Sequence, residues 1–249
     1  MSNISVFFKF LNSQSVHTRD INTIKGGSGE YKASEWGDTR KKSLSFYSNP
    51  TLQNYFYMIF GDGGKIASAS TLCEYFDFSK FTKLGDIGGV PFSQSWVIKT
   101  LFPHIKFVLT DYDRESLAKH SVCSPLRQED CSFVHFDAIS DDLSVFSDCD
   151  ILTMWGVDYA LQDLQLLRLI KLVELQKKPL LMATLDIDSK STLKVIASQL
   201  YGTLLKAFGR SRYHGLLRNQ SYIFRLCKSV NVNCELIIAD KNFRIFRIN

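Results

Sequence analysis

The spacing of apolar positions along this chain changes character near residue 79. Ahead of that point, residues 12–50 are rich in Ser, Asn, Thr and Gly, with Lys25-Gly26-Gly27-Ser28-Gly29 at their centre, and show neither helical nor strand periodicity. Such a stretch predicts an arm or lid. From about Pro50 to Phe60 and again from about Ala67 to Phe76, apolar residues recur at helical spacing around Gly61-Asp62-Gly63-Gly64, predicting two short capping helices parted by a turn. After Ser79, short apolar runs alternate with longer amphipathic ones: Lys83–Ile87, Ser95–Phe102, Lys106–Thr110, Ser132–Phe136, Ile151–Trp155, Asp163–Gln176 and Leu180–Leu185. This alternation predicts parallel strands joined by crossover helices, a doubly wound α/β domain. Helices are expected at about Ser191–Phe208 and Gln220–Ser229, followed by strands Cys234–Ala239 and Phe243–Ile248. Asp240-Lys241-Asn242 is too short for a crossover, so the last two strands must pair antiparallel. The expected fold is a mostly parallel seven-stranded sheet ending in an antiparallel hairpin, with a cap over residues 1–79 and one main domain over residues 80–249.

Composition narrows the setting. A chain of 249 residues, 45% of them apolar, can bury one full domain core. Its six cysteines form no C-x-x-C pair, and nothing ahead of the first resembles a secretory signal, since Lys9 interrupts Val6-Phe7-Phe8. A reduced, cytoplasmic protein without structural zinc is expected. No apolar run reaches the length of a membrane span. His17, His104, His120 and His135 have no neighbours at metal-ligand spacing, so no metal is expected. The net charge of +5 is uneven: residues 81–160 carry −6 and residues 161–249 carry +9. An acidic centre argues against a continuous nucleic-acid groove, while the basic end can hold a small anion.

The chemistry concentrates where the alternation begins. Lys83-Leu84-Gly85-Asp86-Ile87-Gly88-Gly89-Val90-Pro91 places an acid at a strand end, directly before glycines that open towards a helix. The next strand ends in Asp111. In a doubly wound sheet both carboxylates reach the carboxyl edge, where such folds bind ligands. A dinucleotide site wants G-x-G-x-x-G and a pyrophosphate at the helix start. Here Val90 and Phe92 stand where further glycines belong, and Asp86 would repel phosphate. A cofactor with an ammonium and a sulfonium fits better.

These residues resemble the first motif, D-h-G-G-G-x-G with h apolar, of the class I S-adenosylmethionine-dependent methyltransferases, in particular the small-molecule O-methyltransferases. The resemblance covers about residues 80–249, including Phe133-Val134-His135-Phe136-Asp137-Ala138 as a third strand, Asp150-Ile151-Leu152-Thr153-Met154-Trp155 as a fourth, and Phe243-Arg244-Ile245-Phe246-Arg247-Ile248 as the closing strand. It implies S-adenosylmethionine as cofactor: Asp86, Gly88 and Gly89 at the methionine end, Asp111 at the ribose, Tyr112 on the adenine, Asp137 and Ala138 at the adenine edge, and Trp155 lining the reaction centre. Val90 and Phe92 depart from the motif, and the histidine base that many plant-type members carry after strand 4 is absent. Asp158 and Tyr159 stand in that neighbourhood.

The expected activity is methyl transfer to an oxygen or nitrogen of a small, anionic acceptor. Asp158 is the candidate base and His214 the alternative, while Tyr159, Arg210 and Arg212 are candidate substrate contacts. Arg218 closes the same basic cluster. Tyr31, Trp36 and Tyr47 either close over the cofactor or anchor the arm. Two other readings stand: a methyltransferase-like binding subunit without catalysis, motivated by Val90 and Phe92, and an RNA methyltransferase using the basic end. As partners we expect the acceptor, neither nucleic acid nor membrane, and leave room for a homodimer.

Overall fold

The computed structural model describes residues 51–54, 63–126, 129–185, 217–240 and 243–249. The expected arm, most of the first capping helix and the helix at 191–208 lie outside the described residues, as do Arg210, Arg212 and His214. Five helices of eight or more residues and seven strands are described: α1 (Gly63–Tyr75), β1 (Lys83–Ile87), α2 (Ser93–Leu101), β2 (Lys106–Asp111), α3 (Arg114–Cys123), β3 (Cys131–His135), β4 (Ile151–Trp155), α4 (Asp163–Leu175), β5 (Leu180–Leu185), α5 (Gln220–Ser229), β6 (Cys234–Ala239) and β7 (Phe243–Ile248).

The strands form one sheet in the order β3-β2-β1-β4-β5-β7-β6. β1 to β5 run parallel, whereas β7 lies antiparallel to both β5 and β6, with a register shift between Leu236 and Ile238. The seven-stranded sheet and its antiparallel end are as the hydrophobic pattern predicts. Because β1 leads to β2 on one side and the chain returns to β4 on the other, the order reverses between β1 and β4. A crevice outside the carboxyl ends of these two strands follows from that reversal.

Alternate residues on the strands feed two cores on opposite faces. Leu84, Phe107, Leu109, Ile151 and Trp155 pack with Ile66, Leu72, Val97 and Ile98 of α1 and α2. Ile87, Val108, Leu152, Met154 and Met182 pack with Leu166, Leu169, Ile170 and Val173 of α4 and with Ile223 and Cys227 of α5. The α4 residues follow i, i+3, i+4, i+7 spacing, which is why this helix is legible in sequence.

Two local differences from the sequence reading have plain causes. The spacing predicts a crossover helix between β2 and β3 but gives α3 no bounds, because it buries only Ser116, Leu117 and His120 and so lacks an apolar stripe. Its start is set instead by Asp113, whose carboxylate accepts from the Glu115 and Ser116 amides. α1 begins at Gly63 rather than at Ala67, taking in two residues expected to form a turn. The first-turn amides of a helix have no intrahelical partner whatever the residue, so glycines there forfeit no hydrogen bond. Among the described residues, no helix is long and apolar enough to cross a membrane.

Candidate active site

Asp86 closes in from β1 and is completely buried. Its Oδ2 accepts from Gln94 Nε2 (2.8 Å) and from Ser95 Oγ, and its Oδ1 from Thr153 Oγ1 at 3.0 Å. Burial pushes its pKa up, while Ser95, Thr153, the Lys65 charge and Gln94 pull it down. The carboxylate sits beneath the glycine turn: a Cβ on Gly89 would lie 2.3 Å from Asp86 Oδ2. Gly88 adopts a φ of +64°, and a Cβ there would lie 2.7 Å from Val157 Cγ2. Both glycines are therefore required, one by the carboxylate below and one by the loop after β4. Asp86 thus organises the turn from underneath through Ser95, Gln94 and Thr153, none of which the sequence reading singled out.

The turn is also fastened to β2. Gly89 donates its amide to the Thr110 carbonyl at 3.1 Å, and Val90 donates to the Asp111 carboxylate. Thr110 Oγ1 donates back to the Asp86 carbonyl at 2.8 Å. Asp111 accepts from the Asp113 amide at 3.0 Å, and burial raises its pKa to about 6. Tyr112 follows, half-buried. The structure thus brings Asp86, Gly88, Gly89 and Asp111 to one edge, as expected.

Phe92 answers the departure from the glycine motif. It takes the left-handed conformation, φ 59°, at the start of α2, where a glycine would sit without strain. Its ring is fully buried, edge-on to His120 and Phe133 at 5.8 Å each. That side chain fills core volume on the α2 and α3 side of the sheet. His120 is held neutral there, burial lowering its pKa to about 3.

The β3 end joins the edge through the Phe136 amide, which donates to the Asp111 carbonyl at 3.1 Å. Asp137 spends both oxygens on its own turn, accepting from the Ile139 amide (2.9 Å) and Ser140 Oγ (3.0 Å). Ala138 is buried beside it.

The loop after β4 supplies the other wall. Trp155 is fully buried with its ring 5.8 Å from that of Phe243, and its Nε1 has no hydrogen-bond partner among the described residues. Tyr159 is buried against Ala160, Leu185 and Leu217. Asp158 is 2% exposed and its Oδ1 is likewise without a hydrogen-bond partner among the described residues. Burial raises its pKa to about 7, against the pull of Arg218. Arg218, itself buried, pins this loop: it donates to the Asp158 carbonyl, to the Leu161 carbonyl (2.7 Å) and to Asp163 Oδ1 (2.8 and 3.0 Å). Tyr222 Oη donates to the other Asp163 oxygen. Partial burial raises the Asp163 pKa, but these Tyr222 and Arg218 bonds win and hold it below the ordinary value. Arg218 is thus a loop clamp and no part of a solvated basic surface.

No family model and no curated protein matches this chain. Solved structures do. Human N-acetylserotonin methyltransferase in complex with SAM shares 14% identity at a TM-score of 0.59, over 88% of this chain and 62% of that one. The mitomycin 7-O-methyltransferase MmcR shares 16% at 0.57, over 100% and 68%. PigF with SAH shares 16% at 0.61, over 98% and 68%. The fold is that of the class I S-adenosylmethionine-dependent methyltransferases. In this methyltransferase fold the Gly88-Gly89 turn and the Asp158 loop occupy the two sides of the β1/β4 crevice. The chain spans 62% of the length of the human enzyme, so the fold is shared without the whole of that protein.

Proposed function

We propose that this chain transfers the methyl group of S-adenosylmethionine to an oxygen or nitrogen of a small-molecule acceptor, and that Asp158 takes the proton when the acceptor is a hydroxyl. The residues present fit the cofactor. The Gly88-Gly89 turn has no room for a Cβ at either glycine, so backbone alone faces the crevice there. A carboxylate under that turn disfavours the pyrophosphate of a dinucleotide and suits a cationic amino-acid end. In this reading Asp111, at the neighbouring strand end, takes the ribose hydroxyls, Tyr112 packs on the adenine face, and Asp137 with Ala138 meets the adenine edge. Bound S-adenosylmethionine supplies a methyl group activated by its sulfonium, so the protein's part is alignment and proton removal.

The observation that carries the transfer step is Asp158 Oδ1, an acceptor atom buried in the loop after β4 and left without a partner among the described residues. A buried carboxylate costs free energy unless something hydrogen-bonds it, and the proton of an acceptor hydroxyl meets that need. A pKa near 7 is also where a general base works best at neutral pH. The Trp155 indole N–H lines the reaction centre from the end of β4, and Tyr159 supplies an apolar wall. Arg210 and Arg212 are the proposed holders of an anionic acceptor, with His214 as the alternative base; all three lie outside the described residues. Small acceptors named in the relatives, N-acetylserotonin and mitomycin, support this size class. Six free thiols fit a reducing, cytoplasmic setting. Incubation with methyl-labelled S-adenosylmethionine and a panel of hydroxylated aromatic and heterocyclic compounds tests the proposal. Label appears in one compound class, at a rate rising with pH through about 7. Binding of cofactor with no transfer to any member would favour the non-catalytic subunit instead, and transfer to RNA alone the nucleic-acid reading.

A further inference from the structure

Cys227 sits in the last turn of α5, and Cys234 is the first residue of β6. The chain doubles back between them: Val230 and Val232 both donate their amides to the Cys227 carbonyl, at 3.2 and 3.0 Å, and Asn231 takes the left-handed conformation at φ 59°. This turn lays α5 on β6 and brings the two thiols into a hydrogen bond with each other. Cys227 is buried in the core under α5, whereas Cys234 is half-buried and packs against that core. Cys234 also lines an open groove of about 380 Å³ with Phe224, Lys228, Asn231, Val232 and Asn233. A small, water-soluble reactant can therefore reach the Cys234 end of the pair. Burial pushes the Cys73, Cys123, Cys131 and Cys149 thiols up, the last two to about 12, which keeps them protonated and unreactive. Cys227 alone of the six is held below its ordinary value, by the hydrogen bond from Cys234, and the same bond raises Cys234. Such a pair gives up its first proton more readily than a single buried thiol, because the remaining S–H donates to the thiolate formed. Moving that shared proton across the bond puts the thiolate on either sulfur.

We propose that Cys227 and Cys234 are a redox-active dithiol, outside the crevice, that closes to an intrachain disulfide under hydrogen peroxide and reopens under a thiol reductant. The Cys234 sulfur displaces hydroxide from the peroxide, breaking the O–O bond and leaving a sulfenic acid on Cys234. The Cys227 sulfur then displaces the sulfenic hydroxyl, so that an S–S bond forms as the S–O bond breaks. The two thiol protons leave with the two displaced hydroxides as water; each sulfur gives up one electron and the peroxide takes both. A reversible bond of this kind suits a chain whose cysteines are otherwise reduced. The inference is independent of the S-adenosylmethionine reading. To test it, the reduced wild-type chain is treated with equimolar hydrogen peroxide, its remaining thiols are alkylated in denaturant, and it is mapped by trypsin and mass spectrometry without reduction. Lys228 puts a cleavage site between the two cysteines. One linked pair of peptides is expected, Cys227 to Cys234, lost on treatment with dithiothreitol, with Cys73, Cys123, Cys131 and Cys149 all alkylated. Cys227→Ser should stop at the sulfenic acid, trapped on Cys234 by a dione reagent, and Cys234→Ser should leave Cys227 unoxidised at the same dose. A wild-type map with Cys227 and Cys234 both alkylated, or with either linked to another cysteine, overturns the proposal, and so does a sulfenic acid on Cys227 in Cys234→Ser. The wild-type map decides the matter even where a variant fails to fold.

Discussion

Replacing Asp158 by asparagine removes the proposed base and, at the same time, a buried charge. In the folded protein this carboxyl gives up its proton at about pH 7, and in the unfolded chain near the ordinary aspartate value of about 4. Between those values the folded state binds the extra proton, so the group's contribution is fully present below about pH 4 and is lost as pH rises to about 7. A difference of about 3 units corresponds to roughly 4 kcal/mol. Asparagine does not titrate but leaves its own amide to be satisfied, costing about 1–3 kcal/mol. The variant should therefore be more stable than wild type at pH 8 by about 1–3 kcal/mol, with that advantage gone or reversed at pH 4.5. Circular-dichroism melts of both proteins across this range read the difference. Asp111 titrates in both, so the comparison cancels its part. Methyl transfer, once an acceptor is in hand, should fall by roughly 10²–10⁴-fold and lose its dependence on a group near pH 7. An Asp158→Asn variant that kept the wild-type slope of stability against pH, or its pH–rate profile, would refute the reasoning.

Gly89→Ala should weaken S-adenosylhomocysteine at least roughly tenfold and cost about 1–3 kcal/mol in stability, because the new methyl meets Asp86 Oδ2; titration and denaturant melts read both. Asp111→Asn should lose about 1.5–3 kcal/mol of cofactor affinity by calorimetry, and should flatten the decline of stability between about pH 4 and 6 that a carboxyl raised to about 6 produces. Arg218→Met frees the loop after β4 and removes the cation that lowers the Asp158 pKa, so the pH–rate profile should move to higher pH while the cofactor's affinity changes less than its turnover. An unshifted profile would detach Arg218 from Asp158.

Much of the sheet is readable from spacing because each strand alternates between two cores, and the short turn before Phe243 allows only antiparallel pairing. α3 is unreadable by the same logic, since its buried face includes Ser116 and a neutral His120 where a pattern search wants aliphatic residues. The edge that holds Asp86, Gly88, Gly89 and Asp111 is legible because an acid directly before paired glycines, with a second acid at the end of the next strand, is a rarer pattern than any of these residues alone. What surrounds it is not. Ser95, Gln94 and Thr153 look like ordinary helix and strand residues until the fold turns them towards one carboxylate. Phe92 reads as a damaged motif, yet its backbone takes the glycine-like conformation and its ring goes into the core. Arg218 reads as one of a basic cluster, and only the fold shows its guanidinium closed over Asp163 and two carbonyls.

Whether the β1/β4 crevice takes S-adenosylmethionine and its product is read by calorimetric titration of the folded wild-type chain with S-adenosylhomocysteine. We expect one site per chain with a Kd in the micromolar range, about −8 kcal/mol, weakened by Asp111→Asn; a folded protein that gives no binding heat at millimolar ligand, or an Asp111→Asn variant that binds equally well, would rule the crevice out as the cofactor site.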